Sequence, residues 1–394
     1  MLHKAQLIHD YLIKIRREIH QHPELGYQET NTAKLISKEL DALGISYQTS
    51  VAKTGLIAEI NNGNGPTILL RADLDALPIQ EQTQLSFQSK TAGVMHACGH
   101  DTHTAMLLGA IKLLNSESFN GTLRFLFQPS EEGSYNDPDQ FSGAQRVIAE
   151  GHLSDIDAAI SLHQLPTLTT GQIAVTRGSV MAAADFFEII IHGKSSHAGV
   201  SPEAGIDAIV IAAELIQSLQ TIVSRKIGPQ DTAVLSVCTI EGGNAPNIIA
   251  DKVKMTGTIR AMNESTHQRM LAAIQSHCNA LATMHNTKIE LDYFYTVPVT
   301  SNDPTIQKIA SNAAAKIVGA NQVIQDLSIM GGEDFGYIAQ LVPSCFALLG
   351  TKVTQGEVHP LHSPKMLVNE DALSIGSAYL AQTALDILCG ISKP

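Results

Sequence analysis

Apolar positions recur at helical spacing from Leu7 to Ile19, until Pro23 and Gly26 interrupt them, and again from Thr30 to Leu43, which Gly44 closes as a C-terminal cap. The period then changes. Leu56 to Ile60 and Thr67 to Ala72 read as strands, and the second lacks alternation, as expected of a strand buried on both faces of a parallel sheet. Gly121 to Phe127 and Ala158 to Leu162 repeat that pattern, with helices predicted over Ala105 to Leu114 and Ala144 to Glu150. After Val297 come a helix from Asp303 to Val318, a short strand from Ser344 to Leu349 and a last helix from Glu370 to Cys389.

Between these halves lies a stretch of different rhythm. Strand Asp185 to His192 leads to a helix from Asp207 to Ser224, with Ile209, Val210, Ala213, Ile216 and Leu219 on one face. Strands Thr232 to Ile240 and Lys252 to Arg260, helix Glu264 to His285 and strand Lys288 to Tyr295 complete a β-α-β-β-α-β order. That order is ferredoxin-like. The expected fold class is therefore α/β: a doubly wound, largely parallel sheet over 1–182 and 296–394, carrying an inserted ferredoxin-like α+β lid over 183–295. No fixed-period repeat or low-complexity tract interrupts it.

The predicted strands end in reactive side chains. Asp73 and Asp75 follow the second strand, the pair Glu131 and Glu132 follows Phe127, and His163 follows Leu162. Open α/β sheets gather their sites at such strand ends. Loop capping accounts equally well for Asp73 and less well for Asp75, and packing equally well for His163; His20 and His22, before the turn, read as capping or packing residues. The densest stretch is 95–104, which holds His96, Cys98, His100, Asp101 and His103. A thiolate and an imidazole two residues apart can turn toward one cation, a ligand mix suited to zinc and its first-row neighbours. No further cysteine lies close by, so a catalytic site completed from elsewhere in the fold is expected, with His362 as a distant candidate.

Composition narrows the class. A chain of 394 residues with 44% hydrophobic and 16% charged residues suits a well-buried two-domain enzyme. A formal net charge of -12 argues against nucleic acid or an anionic membrane as partner. The cysteines, Cys98, Cys238, Cys278, Cys345 and Cys389, form no C-x-x-C pair and suit a reducing compartment. Met1 to Ala5 lead into a polar amphipathic stretch and no apolar run approaches ~18 residues, so a cytoplasmic protein without a membrane partner is expected.

Eight motifs in order, Arg71–Pro78, Met95–His103, Gln128–Gly133, Ser196–Gly199, Gly242–Asn247, Gly257–Arg260, Gly331–Phe335 and Leu361–Pro364, resemble those of the zinc-peptidase family of aminoacylases and carboxypeptidases. The nearest branch is the hippurate hydrolase and auxin-conjugate (IAA-amino acid) hydrolase type. The resemblance implies a metal-dependent amidohydrolase acting on N-acyl amino acids, with two divalent ions per subunit. Manganese or zinc is expected, with nickel and cobalt as further candidates. It also implies a lid that mediates a homodimer. Carried over, Cys98, His100, Glu132, His163 and His362 would be ligands, with Cys98 where sister branches place a bridging aspartate. Glu131 would be the general base and Asp75 would orient a ligand. His197 would polarise the scissile carbonyl, and Asn247 and Arg260 would hold the substrate oxyanion or carboxylate. Two departures stand out: a longer polar run, Ser134 to Ser142, and Gly332 where many relatives carry serine.

Two other readings use the same residues. A metallo-dipeptidase or carboxypeptidase would share the chemistry and differ in substrate. A non-catalytic metal-binding protein would have no use for Glu131 beside Glu132.

Overall fold

In the computed structural model, which describes residues 1–133 and 139–391, the strand Thr67–Asp73 is buried along its whole length. It runs parallel to Thr122–Gln128 on one side and Ala158–Thr169 on the other, and Ser344–Lys352 extends the parallel set. The margins are antiparallel: Tyr47–Val51 and Gly55–Asn61 form a hairpin beside Thr122–Gln128, and Ile173–Ala174 pairs against Ser344–Lys352. This is the largely parallel α/β sheet that the unbroken apolar strands predict. Helices His9–Gln21, His100–Leu114, Pro304–Val318 and Ala372–Gly390 share one apolar core with it, through residues such as Leu12, Leu107, Ala310 and Leu380. Register places Asp73 beside Gln128, so the carboxyl ends of these strands deliver their side chains to one edge.

These elements form one unit, comprising 1–180, 300–328 and 334 onward. Several features of it depart from the sequence reading, short strands such as Tyr47–Val51 among them. The helix expected from Ala105 begins at His100, because Gly99 (φ 95°) sets the start, and every residue except Lys112 is buried. A helix buried all round carries no amphipathic period to read. The strand expected to end at His163 continues to Thr169, with its pairing shifted between Gly350 and Lys352 so that Pro166 is accommodated. Helix Phe335–Leu341 was not foreseen.

The second unit comprises Met181–Val299 and Ile329–Glu333. Its strands lie in the order Ile289–Val297, Ala183–His192, Lys252–Ala261 and Ala233–Gly242, antiparallel throughout, which is the ferredoxin-like arrangement. Helices Ala208–Thr221 and Glu264–Met284 share its core with Phe187, Ile189 and Ile191. The buried side of the first helix is Ala208, Ile211, Ala212, Leu215 and Leu219, whereas Ile209 and Val210 are 47% and 50% exposed. The helix is apolar on more than one side, so helical spacing fitted the wrong stripe. Residues 329–333 also depart from the expected division, packing here through Gly331, whose carbonyl accepts from the Ala182 amide (3.0 Å). A Cβ at Gly332 would lie 2.7 Å from Ala184 Cβ and 2.8 Å from Val297 Cγ2, which accounts for glycine there. Two helices, Ala208–Lys226 and Ala372–Gly390, are long and apolar enough by length and composition to cross a membrane; polar residues interrupt both, and the second is largely buried in the core of its own unit.

Candidate metal centre

The loop before helix His100–Leu114 is shaped by Gly99, where a Cβ would lie 2.6 Å from the Gln164 side chain. It brings Cys98 Sγ to 3.3 Å from His163 Nε2. His163 Nδ1 donates to the Gln164 carbonyl (2.5 Å), and His100 Nδ1 donates to Asp75 Oδ1 (3.1 Å). In the neutral ring each of these bonds keeps the proton on Nδ1 and leaves Nε2 with its lone pair, the usual arrangement of a ligating imidazole. Among the described residues His100 Nε2 is buried without a hydrogen-bond partner, 3.8 Å from Asp73 Oδ2 and 3.9 Å from Glu131 Oε2.

The turn after Thr122–Gln128 supplies the other half. Asp75 Oδ2 accepts the Glu132 amide (3.0 Å), so one aspartate ties Glu132 to His100. Glu132 Oε1 lies 3.1 Å from Nε2 of His362, whose own amide donates to the Ala97 carbonyl (2.9 Å) and whose φ is 64°. Ligand atoms of Cys98, His100 and His163 lie within 4.8 Å of one another, as do those of Cys98, Glu132 and His362, and those of His100, Glu131 and Glu132. Two of these groups share Cys98. Burial, then Glu132, Glu131 and Asp73, push the Cys98 thiol far up. Burial disfavours the His100 imidazolium, yet Asp73 and Asp75 outweigh it and raise its pKa to about 10. The cluster is short of positive charge, and its sulfur, nitrogen and oxygen donors suit divalent first-row metals.

The sequence from 69 to 386 matches the model of peptidase family M20/M25/M40. The chain belongs to that family. It is 39% identical over 384 residues to the N-acetylcysteine deacetylase of Bacillus subtilis (strain 168), covering 96% of this chain and 97% of the relative. It is 39% identical over 394 residues to the IAA-amino acid hydrolase ILR1-like 2 of Arabidopsis thaliana, covering 98% and 87%. Among solved structures it resembles the YxeP protein of Bacillus subtilis, described as a dinuclear metal-binding peptidase of the M20 family, with TM-score 0.83, 36% identity and 98% and 100% coverage. This M20-family chain is a metal-dependent hydrolase.

Around this cluster stand residues to which the sequence assigns no role. His103 Nδ1 donates to Asp73 Oδ1 (2.6 Å) and its Nε2 accepts the Gln164 amide (2.9 Å), which fixes a neutral ring; burial accordingly lowers its pKa. Gln164 Nε2 donates to the Cys98 carbonyl (2.6 Å) and anchors the loop. Glu29, fully buried, accepts from the Ser130 amide (2.9 Å) and the Thr54 hydroxyl (2.5 Å). Burial and the charge of Asp75 push its pKa up to about 7. For Gln164 the sequence signal is a polar residue beside an apolar strand, which needs a buried partner; Glu29 carries no such signal.

In the lid unit of this M20 chain, His197 is exposed, and its Nδ1 accepts from the Gly199 and Val200 amides, both at 3.2 Å. The ring proton is therefore on Nε2, which makes that atom a donor. The Asn247 carbonyl accepts from the Ala198 amide (3.0 Å), so His197 and Asn247 stand on adjoining loops. Arg260 lies apart from them on Lys252–Ala261, its guanidinium 5.4 Å from the Phe186 ring centre. Of the polar run Ser134 to Ser142, residues 134–138 lie outside the described residues.

Proposed function

We propose that this hydrolase cleaves the amide bond of N-acyl amino acids, with an N-acetyl, N-benzoyl or similar acyl group. The observation that carries the reading is the division of labour in the Glu131–Glu132 turn. Glu132 pairs with His362 among the candidate ligands, while Glu131 Oε2 faces His100 Nε2 at 3.9 Å. The names of the two curated relatives, a deacetylase and an amino acid conjugate hydrolase, support the substrate class.

Cys98, His100, Glu132, His163 and His362 would hold two divalent ions, manganese or zinc, with Cys98 shared. When bound, such ions lower the pKa of water and act as Lewis acids on a carbonyl. Glu131 accepts the proton of the attacking water and delivers it to the leaving nitrogen. His197 Nε2–H donates to the developing oxyanion, a contact worth about 3–4 kcal/mol where such donors have been removed. Asn247 and Arg260 hold the substrate oxyanion or carboxylate, and Asp75 fixes His100 and the Glu132 amide.

The enzyme acts in the cytoplasm as a homodimer through the lid. Val234 and Ile240, 41% and 52% exposed on the end strand of the lid sheet, support that assembly, since an uncovered apolar sheet edge invites a second copy.

The test is amine release from N-acetyl, N-benzoyl and dipeptide substrates by the manganese- or zinc-loaded enzyme. Release from acyl amino acids is expected. Release from dipeptides alone would favour the peptidase reading, and silence with metal bound would contradict the proposal.

A further inference from the structure

Arg71 sits within an otherwise apolar strand and is 1% exposed. Its guanidinium donates from Nε to Gln128 Oε1 (3.0 Å), from Nη1 to Asp73 Oδ2 (2.7 Å) and from Nη2 to Asp334 Oδ1 (2.8 Å). One buried cation thus joins two buried acids. Such an assembly is weak evidence for stability, because burying these charges costs about as much as their attraction returns. Its use has to be sought in what it holds still.

Asp334 stands at the start of helix Phe335–Leu341, yet its side chain makes no capping bond to that helix. Aspartates in that position usually cap. Here the carboxylate turns away and accepts from Arg71, from Gln128 Nε2 (2.9 Å), from the Ala144 amide (2.9 Å) and from the Ser142 hydroxyl. With its side chain locked by four donors, its main-chain N–H is aimed at Glu131 Oε1, 3.3 Å away. That leaves Oε2 as the oxygen toward His100 Nε2. The other end of the chain runs from Arg71 through Asp73 and His103 to Gln164, and from there to the Cys98 carbonyl.

We infer that Asp334 is a positioning residue for Glu131: its carboxylate, clamped by Arg71 and Gln128, aims its amide so that Glu131 presents one fixed oxygen to the reacting water. The inference rests on Glu131 being the base. Geometry of this kind governs rate more than binding, since a small misplacement of a reacting group is enough to slow the step. Asp334→Asn keeps the side-chain shape but sets an NH2 group among donors, so it releases the clamp.

The experiment is a double-mutant cycle on the metal-loaded enzyme, with the best acyl amino acid of the substrate panel as probe. Asp334→Asn is expected to lower kcat about 10–100-fold, as loss of a supporting hydrogen-bond partner does elsewhere, with KM within about twofold and both metals retained. In the Glu131→Gln background the same substitution is expected to cause no further loss, because the group it positions is already gone. A loss of equal size in both backgrounds, or an unchanged kcat, would overturn the inference. A second readout needs no turnover and no change at position 334. In protein labelled with 15N-aspartate, the Asp334 amide proton resonates downfield and moves upfield in Glu131→Gln; an unmoved resonance would overturn the contact. If Glu131→Gln itself keeps near-normal turnover, the assignment of the base fails, which is a different result from additivity in the cycle.

Discussion

Asp75 accepts from His100 Nδ1 through one oxygen, at 3.1 Å, and from the Glu132 amide through the other, at 3.0 Å. A single carboxylate therefore sets the relative placement of two candidate ligands that lie 32 residues apart in the chain. Removing its charge should weaken both. Asp75→Asn is expected to lower metal affinity or activity by about 10–100-fold. Calorimetric titration of the metal-free protein checks this, and unchanged affinity together with unchanged turnover would make Asp75 a structural loop residue.

Cys98 belongs to two ligand groups, so its loss should affect both metal positions at once. Cys98→Ala is expected to bring bound metal below the wild-type stoichiometry, measured by elemental analysis after dialysis. Wild-type stoichiometry in that variant would make Cys98 a packing residue.

Gly99 carries two constraints together, a φ of 95° and a Cβ position 2.6 Å from the Gln164 side chain. Gly99→Ala must disturb either the loop or the Gln164 anchor on the Cys98 carbonyl. A destabilisation of about 1–3 kcal/mol is expected from the overpacking, with weaker metal binding. Denaturant unfolding of the metal-free protein reads the first effect and metal titration the second. A variant as stable and as metal-avid as wild type would show that the loop tolerates the change.

The lid carries a buried pair, His267 Nε2 and Asp185 Oδ2, 2.6 Å apart, with Glu264 Oε1 3.5 Å from Nδ1. Burial disfavours the imidazolium, but the bond and charge of Asp185 prevail and the His267 pKa is raised. A raised pKa in the folded state means that the pair's contribution is full below the unfolded value of about 6.5 and is lost as pH rises through the folded value. His267→Gln should therefore cost more stability at pH 6 than at alkaline pH. Thermal unfolding of both proteins across that range checks the sign, and a difference that does not vary with pH would remove His267 from the ledger.

Much of this molecule was legible in its residues. Gly44 adopts φ 69° and closes Thr30–Leu43 as its sequence predicts, and the Glu131–Glu132 turn lies beside the Cys98 loop. What remained hidden depended on distant partners. Arg71 inside an apolar strand announces a buried acid, but Asp334 lies 263 residues away and nothing local pairs them. Glu29 reads as an ordinary polar residue before a helix, and only the fold brings the Ser130 amide to it. The exposed stripe at Ile209 and Val210 was misread for the opposite reason: the local apolar pattern fits a core face, and only packing decides which side is covered.

Glu131→Gln in the metal-loaded enzyme, with metal content and amine release from acyl amino acids measured on the same sample, tests most directly whether Glu131 is the base. Full metal stoichiometry with turnover reduced by about 10²–10⁴-fold is the expected result. Near-normal turnover with metal bound would contradict the account.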